Sequence, residues 1–144
     1  MNISFSVHIN GMGAIPDRIL DRVSEVGEAV AKRVKDDTEP FVPAGVMQED
    51  GHMPLYLRSR VEDNLIIYPG PYARFLYFGK LMIDPVTGSS WARRGTKKVL
   101  TNKDLVFTKA IHPQAQSHWF EASKSLNLPK WIKYAQEVMD GNKK

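Results

Sequence analysis

Residues 66–80 read IIYPGPYARFLYFGK. A short apolar strand ends here at the turn signal Pro69-Gly70-Pro71, and the run Tyr72–Lys80 follows with four aromatic rings, Arg74 and a glycine near its end. Aromatic rings cover a large apolar area at a low rotamer cost, so this composition is typical of a packed core corner or a buried interface and not of a catalytic site. We interpret Tyr72–Phe78 as a short helix.

This short helix is also the predicted interface element. Seven residues cannot bury four rings on one side of one element, so at least one ring should face a partner. The planar, always charged group of Arg74 suits a carboxylate on another subunit, unless it pairs within its own chain and fixes the local turn. The acidic face of the preceding long helix is the predicted recipient. The candidate interface residues are Tyr72, Arg74, Phe75, Tyr77, Phe78, Asp17, Asp21, Glu25 and Glu28.

Upstream of this run, the pattern predicts one strand and one long helix. Apolar and polar residues alternate from Ile3 to Ile9, as in a half-buried strand. From Ile19 to Val34 apolar residues recur every three or four positions, and this stripe predicts a helix over residues 16–37. An irregular loop is expected over residues 46–54.

Two hairpins are predicted in the middle of the chain. Leu55–Val61 and Leu65–Tyr68 flank a turn and form the first. Leu81–Ile83 and Leu105–Phe107 form the second, whose long tip, residues 84–104, is polar, basic and glycine-containing and is expected to be mobile.

Two helices are predicted to close the chain, one over about residues 115–126 and one that begins at Pro129, with a frayed tail at residues 140–144. Their expected core anchors are Trp119, Phe120, Trp131 and Tyr134. Together the elements predict an α+β fold in a single domain of residues 1–144. The expected architecture is a small antiparallel sheet with the long N-terminal helix packed on one face and the C-terminal helices beside it.

The composition narrows the class of protein. The 144 residues include no cysteine, which excludes disulfides and thiolate metal sites and suits folding in a reducing cytoplasm. The first residues lack the basic start and long apolar block of a signal peptide, and no apolar run approaches the roughly 18 residues of a membrane span. We therefore expect a soluble intracellular protein with no membrane contact.

The net charge of +4 is unevenly distributed. Residues 1–71 hold 7 Lys/Arg against 11 Asp/Glu, whereas residues 72–144 hold 13 against 5. This asymmetry favours ends that meet different partners, or copies that stack an acidic face on a basic face. The alternative is a solvated acidic helix face followed by a lysine-rich tail.

No local pattern predicts catalysis. The sequence contains no nucleophile elbow, phosphate-binding glycine loop or zinc-protease motif. His112 and His118 lie six residues apart with a proline between them, which is not the spacing of helical metal ligands. The acidic residues between Asp36 and Asp50 lack the periodicity of a calcium loop. We expect that the protein is not an enzyme and that it binds no cofactor and no metal. An enzyme whose site is assembled from residues distant in the sequence remains a further alternative.

The basic tip is a candidate binding surface. Arg93, Arg94, Lys97 and Lys98 lie in the second hairpin beside Trp91. Such a tip can contact nucleic-acid phosphates without sequence specificity, dock on an acidic neighbour in a ring, or remain solvated. Base-specific readout is not expected, because no recognition helix with clustered Arg, Asn or Gln is present.

An ordered set of short motifs adds a resemblance. The motifs are Phe41-Val42-Pro43 with Gly45, Leu57 with Ser59, Tyr72-Ala73-Arg74 with Phe78-Gly79-Lys80, and His112-Pro113 with Trp119-Phe120-Glu121-Ala122. In their order and spacing they resemble the minor capsid and head–tail completion proteins of tailed bacteriophages and prophages, over roughly residues 16–139.

The resemblance implies a structural virion protein at the head–tail connector, which acts by assembly. Its implied partners are other connector, portal or tail proteins and further copies of itself in a ring. Its implied locations are the virion and, during assembly, the cytoplasm of the bacterial host. The alternative function is a nucleic-acid-binding module that uses the basic tip.

Overall fold

The computed structural model describes residues 1–4, 17–44, 53–70 and 73–141 and has the predicted α+β architecture. Its elements are β1 (Asn2–Ser4), α1 (Asp17–Thr38), a 3-10 turn (Glu39–Phe41), α2 (Leu55–Arg58), β2 (Arg60–Glu62), β3 (Leu65–Ile67), α3 (Ala73–Phe78), β4 (Lys80–Ile83), β5 (Val99–Asp104) and α4 (Trp119–Met139). The strands form a three-stranded and a two-stranded antiparallel sheet. No helix in the described ranges is long and apolar enough to cross a membrane.

β3 is the middle strand of the three-stranded sheet, whose order is β1-β3-β2. Ile66 pairs with Ile3 on one side and with Val61 on the other, and it is fully buried. Just beyond the strand, the Tyr68 backbone N–H donates to the Met1 carbonyl at 3.0 Å. The amino terminus donates back to the Tyr68 carbonyl at 3.1 Å. The return strand of the first predicted hairpin is therefore confirmed.

α1 packs against both the three-stranded sheet and α4. Val26, Ala31 and Val34 have no exposed surface, so the apolar stripe in the sequence is the side that faces the core. The helix runs from Asp17 to Thr38, close to the predicted 16–37. The same core contains Trp119 of α4 together with Ile66 and Tyr68.

The C-terminal end of α1 is fixed to α4 by buried or half-buried polar contacts. The Thr38 hydroxyl donates to Ser123 Oγ at 2.9 Å, with both side chains buried. The Trp131 indole donates to Asp37 Oδ2, also at 2.9 Å. A buried hydroxyl without a partner costs about 1–3 kcal/mol, so these pairs specify the register of the two helices.

The prediction of one strand over Leu55–Val61 is wrong in its first half. Residues Leu55–Arg58 form the single helical turn α2, and strand pairing begins only at Arg60. In a strand Leu55 and Leu57 would point to the same face. Here Leu55 is buried and Leu57 is half exposed, which a helical turn allows because the two side chains then point in different directions.

The prediction of two closing helices is also wrong, because α4 is continuous through Pro129. A proline inside a helix costs about 3 kcal/mol, since it lacks an N–H and clashes with the preceding turn. Trp119 and Trp131 are both buried, one on each side of Pro129. At about 25 cal/mol per Å² over roughly 150–250 Å² for each ring, their burial outweighs that cost. The helix begins at Trp119, after His118 with a φ of 50°.

Several predictions fall partly outside the described residues. Only Asn2–Ser4 of the predicted first strand is described, and the loop over residues 46–54 is described only at its last two positions. Of the predicted frayed tail, residues 142–144 are outside the description. The predicted core anchors Trp119 and Trp131 are confirmed as buried.

Candidate interaction site on the second hairpin

β4 and β5 form a two-stranded ribbon, residues 80–104, that we call the arm. Met82 pairs with Leu100 and Ile83 with Val99. Among the described elements, the arm's main contacts outside itself are with α3, which immediately precedes it in the chain. The arm is therefore attached to the domain at its base.

The base of the arm is fixed by three backbone hydrogen bonds around Gly79. The Gly79 N–H donates to the Phe75 carbonyl at 2.9 Å, and the Leu105 N–H donates to the Gly79 carbonyl at 2.8 Å. Beside them, the His118 N–H donates to the Tyr77 carbonyl at 2.7 Å, which ties this joint to the start of α4. Gly79 itself is buried with a φ of +67°.

The partner strand of β4 differs from the prediction. Val99–Asp104 pairs with β4, whereas the predicted Leu105–Phe107 lies beyond the ladder. The register shifts between Lys80 and Met82, where the Thr101 hydroxyl donates to the Leu81 carbonyl at 2.8 Å. The strand that pairs with β4 is thus the mostly polar sequence next to the tip. A search for runs of apolar residues does not find it.

The arm exposes large apolar side chains. Trp91 is 85% exposed and Leu100 is 65% exposed. The others are Val86 and Val99. A two-stranded ribbon is marginally stable alone, and exposed apolar groups grouped on one element are typical of a contact surface.

A buried carboxylate organises the loop between the two strands. Asp84 has no exposed surface, and its carboxylate accepts from the backbone N–H of Val86 at 2.8 Å and of Thr87 at 3.2 Å. The Arg93 guanidinium donates to it from Nε at 2.9 Å. These donors, the guanidinium first, hold the pKa of the Asp84 carboxyl well below its usual range. The start of the tip, residues 84–93, is therefore a hydrogen-bonded turn.

Two parts of the basic tip thus differ in role. Arg93, predicted as a contact residue, forms an ion pair with Asp84. Arg94, Lys97, Lys98 and Lys103 form no ion pair with any residue that the structure describes. The sequence signal for the Asp84 turn is Asp84-Pro85 followed by Gly88, an arrangement typical of turns closed by an aspartate side chain.

α3 carries the predicted interface residues at the base of the arm. Arg74 is exposed, and its guanidinium lies 6.0 Å from the ring centroid of Phe78, which is 48% exposed. Phe75 is half-buried, and Tyr72 lies outside the described residues. The short helix is confirmed, and one of its rings, Phe78, is exposed.

Tyr77, in contrast, belongs to the core. It is buried edge-on against Trp119, with ring centroids 4.8 Å apart, and its phenol donates a hydrogen bond to the Glu121 carboxylate. Burial, followed by this carboxylate, raises the pKa of the Tyr77 phenol above its usual range. Its placement in the interface set is therefore wrong, because one side of the short helix must pack on α4.

The predicted acidic recipients lie on α1. Glu25 pairs with Arg22 at 3.1 Å, and Glu28 pairs with Lys32 at 2.7 Å. Asp21 is exposed, and the side chain of Asp17 is outside the description. Glu25 and Glu28 border a shallow groove of about 390 Å³ between α1 and α4, which Ala29, Lys32 and Tyr134 also line. Within the described residues Arg74 forms no ion pair with this face.

The histidines do not assemble a metal centre. The His112 ring nitrogen Nδ1 is 2.7 Å from the Val42 carbonyl, and its ring packs edge-on against Tyr56. His118 is exposed beside the Phe78 ring. In the described part of the chain, no group of three His, Cys, Asp or Glu side chains is placed to hold a metal ion.

No family model matches the sequence, and comparison with curated proteins and with solved structures finds no match.

Proposed function

We propose that this chain is a structural protein of the head–tail connector of a tailed bacteriophage or prophage, a minor capsid or tail completion protein that acts by assembly. It is made in the cytoplasm of the bacterial host and becomes part of the virion. The observation that carries the proposal is the arm. It extends from one attachment point and exposes Trp91 and Leu100 to solvent.

An arm of this kind supports assembly for an energetic reason. At roughly 25 cal/mol per Å² of apolar surface, leaving several large side chains in water forgoes several kcal/mol that a partner surface would recover. Attachment at one end lets the arm reach a neighbour while the domain core stays closed. In a ring the same contact recurs at each subunit, so a modest pairwise energy suffices.

The test is complementation of a phage that lacks this gene, with Leu100→Ser in the arm. Leu57→Ser is the matched control, because Leu57 is a leucine exposed to a similar extent on α2. We expect the arm variant to lose infectious particles while its purified form melts as the wild type does. The proposal fails if purified particles lack the protein, or if both variants complement equally.

A second candidate, a nucleic-acid-binding module, is favoured by one observation. Trp91 is exposed and is followed closely in the sequence by Arg94, Lys97 and Lys98, none of which forms an ion pair within the described residues. An exposed aromatic ring with cationic side chains suits single-stranded DNA or RNA, whose bases stack on the ring and whose phosphates attract the cations. Binding to mixed-sequence DNA whose affinity falls steeply with salt would support this candidate.

A further inference from the structure

The arm carries one preorganised anchor. Asp84 fixes the turn from within, and its own N–H donates to the Ser89 carbonyl at 2.8 Å. The Trp91 N–H then donates to the Ser89 hydroxyl at 3.1 Å, so the backbone that carries the indole is held in place while the ring stays exposed. An exposed tryptophan on a hydrogen-bonded backbone is of the residue type that most often dominates binding energy at protein interfaces.

The composition of the arm favours a protein partner with acidic groups. Residues 80–104 hold six Lys/Arg against two Asp, and both Asp side chains are paired within the arm. The exposed aliphatic side chains Val86, Val99 and Leu100 have no role in contacts with phosphates, but they do in a contact with an apolar protein surface.

The chain itself offers a surface of that chemistry. The α1–α4 groove combines Ala29 and the Tyr134 ring with the carboxylates of Glu25 and Glu28, and Lys32 also lines it. The Arg33 guanidinium lies 5.6 Å from the Tyr134 ring centroid, so an arriving aromatic ring would share Tyr134 with that cation. Its volume of about 390 Å³ lies at the lower end of the roughly 300–1,000 Å³ that ligand-binding clefts occupy. Among the described residues, the two carboxylates pair with Arg22 and Lys32 on their own helix, and such exposed pairs exchange partners at little cost.

We propose that the arm of one copy docks in the α1–α4 groove of a second copy, with Trp91 against Tyr134 and the arm lysines on Glu25 and Glu28. This inference rests on the proposed function and names the contact through which the assembly forms. Arm and groove are different surfaces, so the contact is head-to-tail. A head-to-tail contact makes closed rings when its rotation closes and filaments when it does not.

The absence of cysteine permits a direct test. Ser90→Cys places a thiol next to Trp91, and Ala29→Cys places one in the groove. The two variants are mixed at high concentration and treated with a short bifunctional thiol crosslinker, both as free protein and in purified particles. We expect a heterodimer as the main product. Ser90→Cys mixed with Gln114→Cys, an exposed position outside the arm and the groove lining, is the control.

Charge reversal tests the direction of the contact. Lys97→Glu with Lys98→Glu reverses the arm of one chain, and Glu25→Lys with Glu28→Lys reverses the groove of another. Each reversed chain is made with Ser90→Cys and, separately, with Ala29→Cys. When these two forms of the same reversed chain are mixed, the crosslink should be lost, because arm and groove then carry like charges. A mixture should regain it, since each arm meets a groove of opposite sign on the other chain.

The outcomes separate this inference from the proposed function. If the protein enters particles but the heterodimer does not exceed the Gln114→Cys control, the arm–groove contact is wrong and the connector function stands. If the crosslink forms but the protein is absent from particles, the contact stands and the connector function fails. If the mixture of reversed chains does not regain the crosslink, the head-to-tail arrangement is wrong. If Trp91 is instead protected by DNA, the arm binds nucleic acid and the inference is overturned.

Discussion

Gly79 lies directly against Ser117, so closely that a Cβ atom built on the glycine would be 2.6 Å from the Ser117 Cβ. The φ of Gly79 is +67°, a left-handed conformation that residues with a side chain adopt at a cost. Both constraints act where the arm leaves the domain, next to the residues that lead into α4. The joint therefore depends on the absence of a side chain at residue 79.

Gly79→Ala should destabilise the domain more than Gly88→Ala. Both glycines have a positive φ, +67° and +69°, so each substitution carries the left-handed penalty of about 1–2 kcal/mol. Only Gly79 has a close neighbour, whereas no atom lies within 4 Å of a Cβ at Gly88. Urea unfolding of the two variants measures the difference. Equal losses would show that the contact with Ser117 relaxes freely.

The parts of the fold that the sequence predicts are those set by local periodicity. The stripe from Ile19 to Val34 predicts α1, and the turn signal Pro69-Gly70-Pro71 separates β3 from α3. In each case residues close together in the chain determine the structure. The spacing of apolar residues identifies the helix, and the proline and glycine residues identify the turn.

The parts that the sequence does not predict depend on contacts between distant residues. Asp84 and Arg93 are nine residues apart and meet only when the turn has formed, so the sequence alone predicts a mobile tip and no internal ion pair. Tyr77 looks like an interface ring until α4 supplies Trp119 and Glu121 to bury it. Pro129 predicts a break that the burial of Trp131 overrides.

Asp84→Asn should loosen the tip of the arm. An amide retains one acceptor oxygen but loses the charge that attracts the Arg93 guanidinium, and it leaves part of the buried network unsatisfied. Trypsin cleavage after Arg93 and Arg94 should accelerate relative to wild type. Asp104→Asn is the control, because Asp104 is exposed and pairs with Lys80 at the base of the arm. Equal cleavage rates in the two variants would contradict a role for Asp84 in ordering the turn.

The same carboxylate gives the tip a dependence on acidic pH. The pKa of Asp84 is lower in the folded chain than its ordinary value of 3.8, so the stabilising contribution is fully present above that value. It is lost as the pH falls below 3.8 towards the lowered pKa. Hydrogen exchange of the Val86 and Thr87 amides, compared between neutral and strongly acidic solution, should show loss of protection in acid. Unchanged protection in Asp84→Asn at neutral pH would contradict the assignment.

Two of the five tyrosines should resist ionisation in the folded protein. Burial raises the pKa of the Tyr68 and Tyr77 phenols above their ordinary value of 10.0. Their contribution to stability is therefore present below pH 10 and is lost as the pH rises from there towards the raised pKa values. Spectroscopic titration should show both phenolates only on unfolding. In Tyr77→Phe only one late phenolate should remain; simultaneous ionisation of all five in the native state would contradict the burial of both rings.

Arg74→Glu should leave the monomer folded and block assembly. Arg74 is exposed over the Phe78 ring and forms no ion pair with a described acidic residue, so the free energy of unfolding should change by no more than about 0.5 kcal/mol. A carboxylate at this position would repel an acidic surface on a neighbouring copy, and the repulsion would recur at every contact of a ring. Melting temperature and infectious-particle yield are measured on the same variant, with Lys124→Glu, an exposed charge on α4, as control. A lowered melting temperature would place the partner of Arg74 within its own chain, and a stable variant that assembles normally would remove Arg74 from the interface.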